Sequence, residues 1–255
     1  MNSVFSSLKH GNTMPKKKTH IENRLNHLKK ALKHLRTNTY VANISEFQRL
    51  ICAFSESLDH LPSRGKWEKD LPKLELPIDS SYSKHHNPSL LIGGVIRGDG
   101  PAITYSSLSV CLIYSTDDSY QKTASDSCCL NSFRETKRIV RRFHFDFQPE
   151  STKHPCSHVQ YGGNIPSEYS DFHYCVEDID NPRIHYFPID VVLLLDMFLK
   201  EFPTPLKPLT SENNWRGLVF KSQELWWKEY VDTLKDCLNN SQGKTFHELV
   251  YCGPL

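Results

Sequence analysis

The sequence contains no C-x-x-C pair, no H-E-x-x-H, no glycine-rich phosphate loop and no internal repeat. Those absences remove zinc ribbons, zinc-dependent peptidases, P-loop nucleotide hydrolases and solenoids from the reading. Long apolar runs are lacking too. The stretch 191–195 is as long as any, well short of the roughly 20 residues a membrane-crossing helix needs. Residues 1–18 carry no apolar secretory core, so neither a membrane partner nor export is expected. The eight cysteines are scattered and read as reduced thiols, which points to the cytoplasm.

What is present is enough to fold. A chain of 255 residues with 38% apolar content, 13 Phe and 11 Tyr can bury a sizeable core. Its net charge of +2 hides an asymmetry. Residues 1–40 hold nine Lys and Arg against Glu22 alone, a net of +8, which leaves −6 for the rest of the chain. A polarised chain of this kind points its amino-terminal part toward nucleic acid or an acidic protein surface; a solvated helix face is the plainer alternative.

Residues 1–18 read as a disordered basic leader and 19–62 as a helical hairpin. In its first helix Ile21, Leu25, Leu28, Leu32 and Leu35 recur at helical spacing, with Arg24, Lys29, Lys30, Lys33 and Arg36 mainly outside that stripe. Lys29, Lys30, Lys33 and Arg36 are the candidate residues for nucleic-acid or partner binding. The second helix starts near Ser45, a candidate cap, carries Phe47, Leu50, Ile51, Phe54, Leu58 and Leu61 on one face, and ends by Pro62. The Pro- and Lys-rich stretch 63–88 reads as a connector into a core region, 89–255.

In that region 89–96 and 102–114 are β-branched and aromatic around Gly98-Asp99-Gly100-Pro101, a hairpin signature. Residues 116–132 read as a polar loop, 138–148 as a strand and 184–187 as a short strand. Helix 189–202, with Pro188 in its first turn, is apolar nearly all round and should be buried. A last helix spans 222–238. The expected fold is α+β, a mostly antiparallel sheet packed on a buried helix, with the helical hairpin attached at the amino terminus.

The chemistry-bearing stretch is the strand Arg142-Phe143-His144-Phe145-Asp146-Phe147-Gln148 with the loop His154-Pro155-Cys156-Ser157-His158-Val159-Gln160-Tyr161-Gly162-Gly163. A period of two puts the three phenylalanines on one face and Arg142, His144 and Asp146 on the other. The loop can bring His154 or His158 back over that polar face. Metal-free phosphodiester cleavage needs a base, an acid and a cation, which His144, His158 and Arg142 could supply beside Asp146. No cofactor is then required. A divalent metal held by His154, His158 and Asp146 is the alternative. A third reading makes the histidines buried and hydrogen-bonded, with Arg142 paired to Asp146. Cys156 as a nucleophile lacks a residue to orient its base.

The string H-P-x-x-H-x-Q-x-G-G at 154–163, followed by Pro182-Arg183 and the run 188–196 into a buried helix, resembles a group of uncharacterised prokaryotic proteins associated with toxin–antitoxin and anti-phage defence loci. The strand and loop are similar, more distantly, to the His-rich carboxy-terminal part of small toxins thought to attack RNA. The resemblance covers residues 138–202. It implies a component of a bacterial anti-phage defence or toxin–antitoxin system, in one form a nuclease (RNase-like) acting through the His/Arg/Asp cluster. It also implies a protein partner, an antitoxin or another defence subunit. The competing expectation is a non-enzymatic subunit that docks on an acidic partner protein or nucleic acid.

Overall fold

A computed structural model of the chain describes residues 22–79, 81, 87–115, 137–148, 155–162 and 183–240. The expected leader 1–18, the loop 116–132, His154 and Gly163 lie outside the described residues.

Three helices open the fold: α1 (Arg24–Thr37), a single turn α2 (Thr39–Ala42) and α3 (Ser45–Asp59). Leu25, Leu28, Ala31, Leu32 and Leu35 of α1 are buried, as are Phe47, Ile51, Phe54 and Leu58 of α3. This is the helical pair that the spacing predicts. The cap differs, because Ile44 holds the N-cap position of α3 without a side-chain bond and Ser45 is its first helical residue. Asn38 is the side chain that caps, accepting from Tyr40 N at 2.8 Å at the start of α2.

Six strands follow: β1 (Lys66–Pro77), β2 (Asn87–Asp99), β3 (Ala102–Ser115), β4 (Lys137–Phe147), β5 (Ser157–Tyr161) and β6 (Arg183–His185). Each pairs antiparallel with the next, in the order β1-β2-β3-β4-β5-β6. The α+β expectation therefore holds, with one substantial difference. The stretch expected as a connector contains the twelve-residue strand β1. Its register with β2 slips between Leu71 and Leu74, so Pro72 sits in an irregularity of an edge strand, where its missing N–H costs no ladder bond.

The carboxy-terminal part begins with α4 (Val191–Glu201), whose N-cap Asp190 accepts from Leu193 N at 2.8 Å. Pro188 lies ahead of that cap instead of in the first turn. A 3-10 turn (Lys207–Ser211) leads to α5 (Asn213–Gln223), a π turn (Glu224–Lys228) and α6 (Glu229–Asn240). This last helical stretch starts nine residues earlier than the spacing suggests.

Alternation along the strands decides what faces what. Ile92, Ile96, Leu108, Val110, Phe145 and Phe147 are buried on one sheet face, where Phe147 meets Trp226 edge-on at 5.2 Å and Phe145 meets Phe198 at 6.3 Å. Helix α4 is apolar on all sides because it sits in this layer, with Val191, Val192, Leu193, Leu194 and Leu195 all buried. One continuous set of buried apolar residues runs from α1 through the sheet to Trp226.

The helical layer is pinned by two buried polar groups of α1 that the sequence places on or near a solvated face. Arg24 is 4% exposed. Its guanidinium lies 3.9 Å from the centroid of the Trp226 ring and 5.6 Å from that of Phe147. It donates to Leu225 O at 3.3 Å, Ile103 O at 3.4 Å and Glu229 Oε2 at 3.2 Å. Burial pulls its pKa down to about 10, against the opposing pull of Glu229 and Asp190. One turn on, His27 Nε2 lies 3.0 Å from Ser222 Oγ, which donates to Asp190 Oδ2 at 2.7 Å.

Removing Arg24 leaves two carbonyls and a carboxylate without their donor inside an aromatic slot. Arg24→Ala should cost about 3–5 kcal/mol, read as a lower denaturation midpoint with an unchanged slope. Glu229, a quarter exposed, retains water, so Glu229→Gln should cost roughly 1 kcal/mol or less. Equal losses in the two variants would refute this account of the pin.

Candidate functional site

The face of the sheet turned away from the helices is polar. The β3–β4–β5–β6 register aligns Ser107, Asp146, His158 and His185 in one cross-strand row. It aligns Ser109, His144, Gln160 and Arg183 in the next, and Cys111 with Arg142 in a third. Phe145 and Phe147 point to the core and Phe143 packs half-buried against Tyr161 at 5.6 Å. Residues of β4 expected to share a polar face therefore do so, and β5 brings His158 directly opposite Asp146.

His158 Nε2 lies 3.3 Å from Asp146 Oδ2, and its Nδ1 donates to Pro155 O at 3.0 Å. Both ring nitrogens thus face acceptors, and the side chain is only 1% exposed. An imidazole so enclosed is placed to orient the carboxylate beside it. Arg142 does not pair with Asp146 among the described contacts. Its Nη2 donates instead to His144 Nε2 at 2.5 Å, which fixes His144 in the tautomer with its proton on Nδ1. Arg142 is buried and His144 half-buried.

Burial pushes the Asp146 carboxyl toward its neutral form. Hydrogen bonds from His158 and Ser107, with electrostatic attraction from the imidazoles of His144 and His158, outweigh this and hold its pKa below the ordinary carboxylate value. Burial lowers the pKa of Arg142, with Cys111 opposing. It raises the thiols of Cys111 and Cys156, so Cys156 is a poor nucleophile.

His185 was not singled out by the sequence, although R-I-H carries the right alternation. It stacks on Tyr230 at 5.7 Å, its Nε2 bonded to the tyrosine hydroxyl, and burial lowers its pKa. Of the candidate metal set, Asp146 and His158 are adjacent and His154 is outside the described residues. Among the described residues no three His, Cys, Asp or Glu side chains are grouped to hold a metal ion.

The basic candidates on α1 divide. Lys29 pairs with Asp59 at 3.5 Å and Arg36 with Glu56 at 3.9 Å, both across to α3. Lys30 and Lys33 are exposed. No family model, curated protein or solved structure matches the chain. No described helix is long and apolar enough to cross a membrane.

A carboxyl with a depressed pKa in the folded state adds stability above its unfolded value and loses it as pH falls through the folded one. Asp146→Asn should therefore lower the urea midpoint at about pH 7, and the gap to the parent should close toward about pH 3. A gap that is constant over that range would show that the His158 contact contributes through shape alone.

Proposed function

We propose that the protein is the nucleic-acid-directed component of a bacterial anti-phage defence or toxin–antitoxin system and that it cleaves RNA on the polar face of its sheet. The observation supporting this is the convergence of Arg142, His144, Asp146 and His158 on one face, joined as the two contacts Arg142–His144 and His158–Asp146. The motif resemblance at 154–163 supplies the biological setting, a cytoplasmic protein with an antitoxin or another defence subunit as partner.

In this reading the phosphate draws Arg142 Nη2 away from His144 Nε2, and that nitrogen, once freed, takes the proton of the ribose 2′-hydroxyl. The freed oxygen attacks phosphorus, and the 5′-oxygen departs with a proton from water, since ionised Asp146 has none to give. Arg142 orients the ring and supplies positive charge toward the phosphate. His158 is a positioning residue that acts through Asp146. Enclosure of His158 turns the two-imidazole scheme into a single-base one, and the expected pH profile has one ascending limb instead of a bell.

A second reading rests on the same enclosure of His158 and on the exposure of Lys30 and Lys33. It makes the protein a non-enzymatic subunit that docks on an acidic partner protein or nucleic acid. Toxicity in cells, RNA cleavage and melting temperature measured for His144→Ala, His158→Ala and Asp146→Asn separate the two. Catalysis requires His144→Ala to lose at least about 100-fold in cleavage while it stays folded at the assay temperature. His158→Ala should lose stability by roughly 1–3 kcal/mol as well as activity. Full cleavage and toxicity in His144→Ala would end the catalytic reading. The docking reading predicts unchanged function in all three and loss of partner capture, steepest at low salt, in Lys30→Glu with Lys33→Glu.

A further inference from the structure

One row along the strands from Ser107–Asp146–His158, the sheet opens into a cleft of about 640 Å³. Register places Glu68 opposite Arg97 and Arg97 opposite Tyr105, while Gln148 follows the Ser106–Phe147 pair, so these four continue the polar face. Two residues along a strand advance about 7 Å, the scale of one nucleotide step. The cleft owes its shape to an irregularity in the β2–β3 ladder, where Arg97 pairs with Tyr105 and Gly98 with Ile103. Thr104 is the extra residue, and bulges of this kind re-aim neighbouring side chains beside sites. Trp67, on the core side of β1, packs its ring over Gly98, where a Cβ would come within 2.2 Å of it. Its Nε1 donates to Gly100 O at 2.8 Å.

The lining specifies the ligand chemistry. Arg97 sits 4.5 Å from the Tyr105 ring centroid and is held by a hydrogen bond to Glu68. That stack offers a flat, half-exposed surface to another planar group. Gln148 adds an amide with both donors and an acceptor, suited to the edge of a heterocycle. The charges cancel, Lys66 and Arg97 against Glu68 and Asp99, so a phosphate track gains little here. A planar, polar-edged ring fits where a polyanion does not.

We propose that this cleft seats one nucleobase of a single-stranded RNA, with Tyr105 and Arg97 as the stacking surface and Gln148 reading the base edge. The proposal rests on the RNA-directed reading of the polar face and names the element that positions the strand beside His144.

The test uses the full-length protein carrying His144→Ala, which keeps the strand intact, and fluorescein-labelled single-stranded homopolymers of A, C, G and U. Tyr105→Ala and Arg97→Ala should each weaken binding about tenfold or more without changing the salt slope. Tyr105→Phe should bind like the parent. Gln148→Ala should narrow the differences among the four homopolymers. Binding of Tyr105→Ala and Arg97→Ala within about twofold of the parent, or a parent that binds none of the four strands, would overturn the proposal. Because Arg97 is half exposed, it stays informative if Tyr105→Ala fails to fold. A separate cleavage assay on the wild-type protein keeps the two ideas apart. Weakened binding in the cleft variants without wild-type cleavage upholds the base seat and removes the nuclease; wild-type cleavage with unweakened cleft variants does the reverse.

Discussion

Arg24 is where the amino-terminal helix, the sheet and the last helical stretch meet. Its planar fork donates to Leu225 of the π turn, to Glu229 of α6 and to β3 at once, and its faces are covered by Trp226 and Phe147. A lysine could offer charge but not three in-plane directions or a stacking plane. Desolvating a guanidinium is expensive, and the compensation here comes from several partners that must be in place together. The neighbouring His27–Ser222–Asp190 chain works the same way, and Asp190 also caps α4. Apolar burial alone would let the helices slide over the sheet. These directional contacts select one placement.

That placement leaves the opposite sheet face to other uses. Once Phe145 and Phe147 are committed to the helices, alternation sends His144 and Asp146 the other way, and the antiparallel register sets β5 beside them. Strand β4 thus couples stability and site within single steps of the chain. Polar groups on that face also constrain one another: His158 holds Asp146 ionised, and Arg142 holds the His144 tautomer. What results is a positioned set of groups with unequal access, one imidazole enclosed and one half-exposed.

Much of this was legible in the sequence where the cause is local. The alternation of β4, the β2–β3 hairpin around Gly98–Pro101 and the apolar helix before Pro203 all follow from spacing and turn chemistry. Strand β1 was hidden because Pro72 and its charged neighbours read as a loop, and only pairing at the sheet edge makes them acceptable. The early start of α5 was hidden by Asn213, Asn214 and Gly217, weak helix formers overridden by the burial of Trp215 and Val219. Arg24 resembled the other basic residues of α1 because its partner Glu229 stands 205 positions away. The candidate site divided likewise: the Arg142–His144–Asp146 face was visible, whereas the opposition of Asp146 to His158, and His185 beyond it, depends on register that no single strand encodes.

Charge on the surface separates attraction from selection. Two of the four basic candidates on α1 are tied to α3, which leaves Lys30 and Lys33 as a small, exposed positive patch on the helical layer. The cleft beside Tyr105 carries balanced charge on the opposite face of the sheet. Electrostatic attraction acts over about a Debye length, near 8–10 Å at physiological salt, so the patch cannot set the register of a strand lying on the far side of the sheet layer. If the proposed RNA-directed reading holds, discrimination between bases comes from contacts inside the cleft, where stacking is insensitive to salt. In that reading the charge-balanced cleft would select among ligands that have already arrived, and the exposed Lys30 and Lys33 would supply the attraction that brings them.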